Sequence, residues 1–405
     1  MCKPDSLRTD MTERLYYTDS RLLEFEARIV ESRREGDRYV TVLDRSAFYP
    51  TSGGQSHDTG KLDEVAVLDV TAEDHGEVRH LTGEEVGPVG AKVIGRIDKE
   101  RRRRNSQNHT AQHLLSAAFD KLFGLRTVSV HLGDEYGAVE LAVPEIEEGK
   151  LEEAERRANE IIGDNLPVEI MFVEDGEIEK LPLRKPPAKT GRLRIIKIDG
   201  YECSACGGTH CATTGGVGLI KITGTERLRG NTLVKFLSGQ LAFEDYESRF
   251  SVTDALSRQL TCHPSDLVEI VGRLSEGNKE LRRQLTEARK ELLPVMAEKL
   301  AVGAEDTVPG RFVFEAAAED DKSLVEKLAA ATADRIEGLA ALMSNGRIVL
   351  AASEGSSFKA GALARQLAAA AGLKGGGNDR IAQLGGADAA QLDHYRESLR
   401  KLLNG

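Results

Sequence analysis

The chain has 405 residues, 30% of them charged, and a formal net charge of -11 at pH 7. This length predicts two or three domains. The net charge argues weakly against a general nucleic-acid binder, and five cysteines, an odd number, indicate reduced thiols and metal ligands in a cytoplasmic protein. Residues 1–20 are polar and no apolar run reaches about 18 residues, so we expect neither a signal peptide nor a membrane span.

The first part of the chain predicts a small β-barrel. Short apolar or alternating runs are typical of strands, and they cover residues 22–30, 39–43, 65–70, 78–81 and 91–97. Residues 46–60 are too long for a hairpin turn and contain Pro50, Gly53, Gly54 and Gly60. We call this segment the glycine loop and interpret it as a shaped functional loop, a solvated turn being the alternative.

A helix follows, and its sequence begins with an arginine-rich run. Apolar residues recur at helical spacing over 111–122, which places His109 and His113 on one helix face. Arg102 and Arg103 belong to the run that precedes the histidines. Such a run is usually a solvated helix face, but beside a metal site its guanidinium groups would also suit phosphate oxygens.

The region up to residue 250 predicts an α+β domain. We expect an acidic amphipathic helix at 145–163 and strands at 168–173, 193–198, 220–222 and 233–237. The span 180–197 contains seven basic residues and no acidic one. It forms a second basic patch whose candidate nucleic-acid contacts are Arg184, Lys185, Lys189 and Arg192.

A second pair of metal ligands follows that patch. Cys206 and His210 are four residues apart with two glycines between them, and sulfur and nitrogen donors together indicate zinc. With the two helical histidines, Cys203 and Cys206 would make a closed structural site, whereas Cys206 and His210 would leave the ion accessible to a substrate. Ordinary helical histidines and buried thiols are the alternative. Thr110 replaces the Glu of the metalloprotease motif, so peptide hydrolysis is not expected.

Three motifs occur in a fixed order. They are Ala47-Phe-Tyr-Pro-Thr-Ser-Gly-Gly-Gln55 with Asp58-Thr-Gly60, then His109-Thr-Ala-Gln-His113, then Cys206-Gly-Gly-Thr-His210. Together they resemble the editing domain of alanyl-tRNA synthetase and its free-standing relatives, the AlaX proteins. The resemblance implies one Zn²⁺ per chain, with the ligands His109, His113, Cys206 and His210. It also implies catalytic roles for Thr51 and Gln55, and substrate contacts from Ser52, Gly53, Gly54 and His131.

Selection between amino acids is expected to depend on a hydroxyl in the glycine loop. Serine differs from alanine by one hydroxyl, and a pocket that hydrogen-bonds this group rejects the substrate that lacks it. Thr51 is the first candidate for that contact and Ser52 the second. A turn in which the Thr51 hydroxyl only satisfies the backbone is the structural alternative.

Residues 267–295 predict a long helix with a heptad seam. Its members, separated by alternating steps of four and three, are Leu267, Val271, Leu274, Asn278, Leu281, Leu285, Ala288, Leu292 and Val295. An Asn within such a seam commonly fixes the register and the number of partners. The seam predicts either a homodimer through residues 267–295 or a helix pair within one chain.

The last hundred residues predict an α/β domain. Its strands are expected at 311–316, 339–343 and 348–352, and its helices at 323–335, 359–371 and 389–403. The region resembles the DHHA1-type domain that follows the editing domain in alanyl-tRNA synthetase. This resemblance implies nucleic-acid contacts from Gly375, Gly376 and Gly377, since glycine amides can approach phosphates closely. A pair of tight turns is the alternative.

These expectations give an α+β protein with four parts: a barrel (1–95), a zinc-binding editing domain (96–250), a long helix (251–304) and a C-terminal α/β domain (305–405). The resemblance implies a trans-editing hydrolase for mischarged tRNA(Ala), chiefly Ser-tRNA(Ala), with Gly-tRNA(Ala) second. Only residues 1–21 precede the barrel, so we do not expect an aminoacylation domain. The alternatives are a non-catalytic zinc-containing tRNA-binding protein and a zinc hydrolase of free amino-acid esters.

Overall fold

The computed structural model of the chain describes residues 12–73, 76–186, 190–318 and 321–404. Its contacts divide the chain into two units, Met1–Leu256 and Ser257–Gly405. Each unit mixes helices with strands, so the predicted α+β class is confirmed, whereas the predicted domain boundaries stay predictions. None of the helices in the described residues is long and apolar enough to cross a membrane.

The first unit begins with a closed antiparallel barrel. The strands in this part of the chain are β1 (Glu13–Arg14), β2 (Glu24–Glu35), β3 (Arg38–Leu43), β4 (Arg45–Ser46), β5 (Gly60–Leu62), β6 (Val65–Ala72), β7 (Val78–Thr82) and β8 (Lys92–Ile97). The barrel order is β2-β3-β7-β6-β5-β8, and β1 pairs with β4 outside it. The predicted barrel is confirmed. The sequence pattern misses β5, which is only three residues long.

The glycine loop connects β4 to β5. Alternate residues of the strands point inward, so Phe25, Ala27 and Ile29 of β2 are buried together with Phe48 at the start of the loop. The loop therefore begins in the barrel core and leaves it toward the next domain.

The rest of the first unit is built around one central helix. Its helices are α1 (Lys99–Phe123), α2 (Glu148–Gly163), α3 (Asp175–Ile178) and α4 (Gly239–Leu260), and its strands are β9 (Thr127–Leu132), β10 (Gly137–Leu141), β11 (Val168–Val173), β12 (Leu193–Ile198), β13 (Glu202–Ala205), β14 (Ile220–Leu228) and β15 (Asn231–Ser238). The strands form two antiparallel sheets, β14-β15-β10-β9 and β11-β12-β13.

Helix α1 has a polar half and an apolar half. Its N-terminus is capped by Asp98, which accepts hydrogen bonds from two backbone amides, and it ends at Gly124, whose φ of 66° suits a glycine. The C-terminal half buries Leu114, Leu115 and Phe119 against the four-stranded sheet. The N-terminal half is also buried but polar, so its side chains must find hydrogen-bond partners in the surrounding loops.

The second unit is an α/β domain that follows a long helix. Its helices are α5 (Leu267–Ala301), α6 (Lys322–Ile336), α7 (Ala360–Ala371) and α8 (Leu392–Asn404), and its strands are β16 (Glu305–Thr307), β17 (Gly310–Ala316), β18 (Leu339–Ser344), β19 (Arg347–Ala352), β20 (Lys374–Gly377) and β21 (Ile381–Gly385). The sheet order is β16-β17-β18-β19-β21-β20. One apolar cluster contains residues of α7 and α8, and another contains residues of α5 and α6.

In the second unit, the alternative given for the three glycines and the start of one predicted helix need correction. Gly375, Gly376 and Gly377 do not form tight turns, because they lie in the edge strand β20 and pair with β21. Neighbouring backbone packs closely against this glycine strand. Gly361 of α7 faces it, and a Cβ on Gly361 would lie 2.4 Å from the carbonyl oxygen of Gly377. The predicted helix 389–403 begins with a short 3₁₀ turn, and α8 itself starts at Leu392.

The predicted heptad seam lies along α5. Near its C-terminal end, α5 packs on α6 through Ala297, which is buried. The seam side chains Leu274, Leu281 and Leu292 are 56%, 65% and 55% exposed. The second of the two predicted arrangements, a helix pair within one chain, is therefore not formed over this part of the seam.

Candidate metal centre

Four predicted ligands meet in one cluster. His109 and His113 come from α1, and Cys206 and His210 come from the loop after β13. One donor atom from each lies within 4.8 Å of the others, and Cys206 Sγ is 3.3 Å from both His109 Nε2 and His210 Nε2. A tetrahedral zinc ion would separate its sulfur and nitrogen ligands by about 3.5 Å. The donor set and its spacing therefore fit one zinc ion.

Cys203 does not belong to this cluster. Its side chain is buried in a separate apolar group with Val173, Leu193 and Ile195, on the other face of the β11-β12-β13 sheet. The closed structural alternative with Cys203 as a ligand is therefore not formed. Burial raises the pKa of the Cys203 thiol, which keeps it neutral.

The outer ring nitrogens of His109 and His210 are hydrogen-bonded, and that of His113 faces a carboxylate without a formed hydrogen bond. Nδ1 of His109 is 2.7 Å from Gln55 Oε1, and Nδ1 of His210 is 3.2 Å from Thr110 Oγ1. Nδ1 of His113 is 3.3 Å from Glu202 Oε1. Such contacts orient metal-binding imidazoles and fix their tautomers.

The partners of Thr110 determine the tautomer of His210. The Thr110 hydroxyl donates to the carbonyl of Ser106 at 2.8 Å, so its oxygen must accept from His210 Nδ1. The proton on Nδ1 leaves the lone pair of Nε2 free, and Nε2 is the atom that faces Cys206. The polar half of α1 thus prepares this imidazole as a metal ligand.

Gln55 does the same for His109. Its Oε1 accepts from the backbone amide of Thr209 at 3.1 Å, and its Nε2 donates to the Thr209 hydroxyl at 3.0 Å. With Oε1 as acceptor, His109 carries its proton on Nδ1 and presents Nε2 to the cluster. Gln55 is only 1% exposed and both polar atoms of its amide are hydrogen-bonded, so its geometry is that of a positioning residue, and its catalytic role stays a prediction.

The electrostatics of the cluster favour an anionic sulfur. Burial alone would raise the pKa of the Cys206 thiol, but the nearby rings of His109 and His210 lower it well below its usual range. Burial would likewise raise the pKa of Glu202, but the nearby ring of His113 and the charge of Arg184 lower it to about 2. Both acidic groups are therefore ionised, as a divalent cation requires.

The ligand loop is pressed onto α1. Arg194 donates through Nη1 to the carbonyls of Cys206 at 2.7 Å and Gly208 at 3.0 Å, and through Nε to the carbonyl of Tyr17 at 2.9 Å. A Cβ on Gly208 would lie 2.0 Å from His109 Cε1, so only glycine fits. Arg194 therefore fixes the backbone from which two of the ligands project.

The glycine loop reaches the cluster through a tight turn. Ser52 and Gln55 exchange two backbone hydrogen bonds of 3.1 and 3.0 Å, around Gly53 and Gly54 with φ of 58° and 84°. The carbonyl of Gly54 accepts from the amide of Leu132 at 2.8 Å, which ties the loop to the edge strand β9. The barrel thereby contributes directly to the site.

The two candidate hydroxyls of the loop lie on opposite sides of it. Directly paired residues share one face, so Ser52 lies on the side of Gln55, and Thr51 lies on the other. The Thr51 hydroxyl is 3.1 Å from His57 Nδ1, which is itself 3.2 Å from Asp69 Oδ1. The Thr51 hydroxyl is therefore used within the loop, whereas Ser52 lies on the side of Gln55 and its hydroxyl has no hydrogen-bond partner among the described residues. The predicted role of Thr51 stays a prediction.

His131 also lies away from the cluster. Its strand neighbours Val130 and Leu132 pack into the core beside α1, so the alternating side chain of His131 points to the outer face of the sheet. There its ring contacts Tyr136 at a centroid distance of 5.8 Å. The expected substrate contact from His131 is not supported by this placement.

The expected nucleic-acid contacts fall into different environments. Arg102 is 3% exposed and its guanidinium binds Asp58, so it has no donor for a phosphate. Arg184 is bound to Glu202 behind His113. Arg103, Lys185 and Arg192 are exposed, the three glycines Gly375, Gly376 and Gly377 belong to the second unit, and Lys189 lies outside the described residues.

Sequence reasoning missed the partners of the ligands. Thr110 and Thr209 lie inside the two ligand motifs, and Glu202 precedes the first cysteine by one position. Polar residues next to ligands are natural candidates for orienting them, so this proximity was an available signal. The buried ion pair of Asp58 was harder to predict from the sequence, because its partner Arg102 is far away in the chain.

Two parts of the chain match sequence models of tRNA synthetase domains. A sequence model described as tRNA synthetases class II (A) matches residues 6–101, which include the barrel. A model described as the threonyl and alanyl tRNA synthetase second additional domain matches residues 193–233, which include Cys206 and His210. The fold and the site therefore define a protein related to the threonyl- and alanyl-tRNA synthetases.

Similar proteins identify the family. The alanine–tRNA ligase of Methanopyrus kandleri is 33% identical over 97% of this chain, and the chain spans 45% of the ligase. The alanyl-tRNA editing protein AlaX-L of Pyrococcus horikoshii is 32% identical, with 97% of this chain and 98% of that protein covered. The chain belongs to the AlaX-L family of alanyl-tRNA editing proteins. The editing protein Aarsd1 of Bos taurus is 33% identical over 65% of this chain and 60% of its own length.

Proposed function

We propose that this chain is a cytoplasmic trans-editing hydrolase that deacylates mischarged tRNA(Ala), chiefly Ser-tRNA(Ala), with Gly-tRNA(Ala) as a second substrate. Membership of the AlaX-L family supports the substrate class. The observation that carries the proposal is the cluster of His109, His113, Cys206 and His210, in which the outer nitrogens of His109 and His210 already have hydrogen-bond partners, at the contact between barrel and α1.

The chemistry required is modest. The ester to a ribose hydroxyl is an activated acyl group, so a positioned water and stabilisation of the developing oxyanion suffice. The four ligands would hold a zinc ion, which would supply a Lewis acid at this point. The protein's own contribution is to keep the proton on Nδ1 of His109 and His210 through Gln55 and Thr110, and to hold the Cys206 backbone through Arg194.

Ser52 is the better candidate for selecting serine. Its Cβ lies about 5 Å from that of Gln55, the spacing of a directly opposed pair, and its hydroxyl is free to bond a substrate. An alanyl substrate would leave the pocket hydroxyl unpaired, and such a loss can lower kcat/KM for the alanyl substrate by a factor on the order of 10⁴. We therefore expect Ser52→Ala to reduce kcat/KM for Ser-tRNA(Ala) sharply, and Thr51→Val to reduce it little. The opposite order would return the role to Thr51.

Three charged tRNAs test the proposal. The zinc-loaded protein is incubated with Ser-tRNA(Ala), Gly-tRNA(Ala) and Ala-tRNA(Ala), and with serine ethyl ester, which lacks tRNA. We expect hydrolysis of Ser-tRNA(Ala), slow hydrolysis of Ala-tRNA(Ala) and little hydrolysis of the small ester. Binding without turnover would identify a non-catalytic tRNA-binding protein, and equal turnover of the small ester would identify a general esterase.

A homodimer is part of the same proposal. The exposed apolar side chains of α5 follow the heptad pattern over 267–295, and water contact along such a seam is unfavourable. A second copy of α5 would cover them.

A further inference from the structure

An exposed aromatic side chain lies on the edge strand next to the metal centre. Phe172 of β11 is 39% exposed, and the guanidinium carbon of Arg192 lies 4.9 Å from the centroid of its ring. The only ion-pair partner recorded for Arg192 among the described residues is Glu174, at the long distance of 3.8 Å. A cation therefore lies over the ring, and part of the residue is open to solvent.

The strand register places Phe172 in line with a metal ligand. Phe172 pairs with Arg194 of β12, and the backbone amide of Cys206 donates to the carbonyl of Arg194 at 3.1 Å. Directly paired side chains project from the same face of a sheet, so the row runs from Phe172 through Arg194 to Cys206. Two strand spacings separate its ends, which corresponds to about 10 Å.

A groove runs along the same face. Val168 and Ile170 alternate with Phe172 and share its side of β11, and with Ser20, Arg21 and His210 they line a cavity of 440 Å³. His210 is one of the metal ligands, so the groove leads from the metal centre along β11 in the direction of Phe172.

Charges of both signs lie near the ring, with Arg192 over it and Glu174 as the ion-pair partner of Arg192. The connection between β11 and β12 also carries exposed Glu177 and Glu179, but its exposed Lys180 and Lys185 have no ion-pair partner among the described residues. An acidic peptide would use these cations but would leave the aromatic face unused. A nucleotide uses both, because its phosphate meets the cations and its base stacks on the ring.

We propose that Phe172, with Arg192 over its ring, stacks with a base of the single-stranded 3′ end of the tRNA while the aminoacyl ester lies at the metal centre. The inference rests on the proposed editing function, and it adds a binding site for the nucleic acid that lies outside the glycine loop. Stacking on an aromatic side chain needs no particular base, so this contact supports binding of the end and not the choice of amino acid.

Kinetics with matched variants test the contact. Phe172→Ala is expected to raise KM for Ser-tRNA(Ala) by roughly 5- to 150-fold, the range for loss of one stacked base, with kcat little changed. Phe172→Trp keeps a π surface and should restore KM, whereas Phe172→Leu keeps only apolar bulk and should not. Phe250→Ala on α4 is the control, because it removes a comparably exposed aromatic ring, 59% exposed, elsewhere on the surface.

A binding measurement separates this inference from the editing proposal. An uncharged oligonucleotide ending in CCA, with 2-aminopurine in place of the terminal adenine or placed just before the CCA, reports stacking through fluorescence quenching. Quenching by the wild type that is lost in Phe172→Ala supports the inference even if no deacylation occurs. The inference is overturned if Phe172→Ala keeps the KM and the quenching of the wild type. It is also overturned if Phe172→Leu keeps full activity, or if Phe172→Ala loses activity equally on tRNA and on serine ethyl ester.

Discussion

Removing the Arg102 side chain should destabilise the first unit strongly, because it would leave a buried charge without its partner. Arg102 is 3% exposed and Asp58 is 0% exposed. The guanidinium reaches Asp58 through Nε at 3.1 Å and Nη2 at 2.5 Å, and also bonds the carbonyls of Ser20 at 2.8 Å and Ala47 at 2.5 Å. In Arg102→Met the carboxylate of Asp58 keeps only the backbone amide of Tyr49 at 2.7 Å.

The expected loss is about 3–5 kcal/mol of unfolding free energy, the usual result of deleting one member of a buried ion pair. Urea unfolding of the zinc-saturated protein, followed by far-UV circular dichroism, measures it. The double variant Arg102→Met/Asp58→Leu should recover part of the loss, since no charge is then left buried. Recovery in the double variant distinguishes an uncompensated charge from simple loss of packing.

Arg103→Met is the matched control. Arg103 is the next residue of the same helix, and its side chain is 48% exposed with a surface partner, Glu100. We expect a change within about 0.5 kcal/mol, as for most surface substitutions. If Arg102→Met unfolds like the wild type and weakens tRNA binding as Arg103→Met does, the burial argument is refuted and Arg102 is a phosphate contact after all.

Three further expectations concern other parts of the chain. Cys206→Ala should lose bound zinc by elemental analysis while Cys203→Ala keeps one ion per chain; zinc lost from Cys203→Ala would contradict the ligand set. Burial lowers the pKa of His80 from 6.5 to about 4, so its stabilising contribution is complete above pH 6.5 and is lost as the pH falls toward 4. Between pH 6.5 and 4 the wild type should lose about 3 kcal/mol of unfolding free energy that the His80→Gln variant does not lose. If the unfolding free energies of the two proteins change in parallel with pH, the expectation is wrong. If α5 forms a homodimer, Leu281→Asp should shift the mass measured by light scattering from two chains to one.

The metal ligands were predictable because each pair is local in sequence. Spacing of four residues on a helix, and of four residues across two glycines, already places the donors near each other, as in His109 and His113. The barrel strands were predictable for a similar reason, since alternation within each strand reports its two faces. Local patterns of this kind do not depend on how distant segments pack.

The roles of Arg102 and Thr51 were not predictable, because they depend on contacts between distant segments. An arginine in a charged run looks the same in sequence whether it meets solvent or the buried Asp58. The side on which Thr51 projects depends on the register of the turn that pairs Ser52 with Gln55, and one step of register reverses it. Gly375 to Gly377 resembled turns because a three-glycine strand needs neighbours that the local sequence does not reveal.

The glycine loop lies between barrel strands in the sequence, yet two of its buried side chains bond residues that follow the barrel. Gln55 bonds His109 and Thr209, and Asp58 bonds Arg102. In an alignment of related chains, these positions should therefore vary together across the domain boundary. A chimera that joins the barrel of one relative to the editing domain of another should load its metal only when both partners of each pair come from compatible parents.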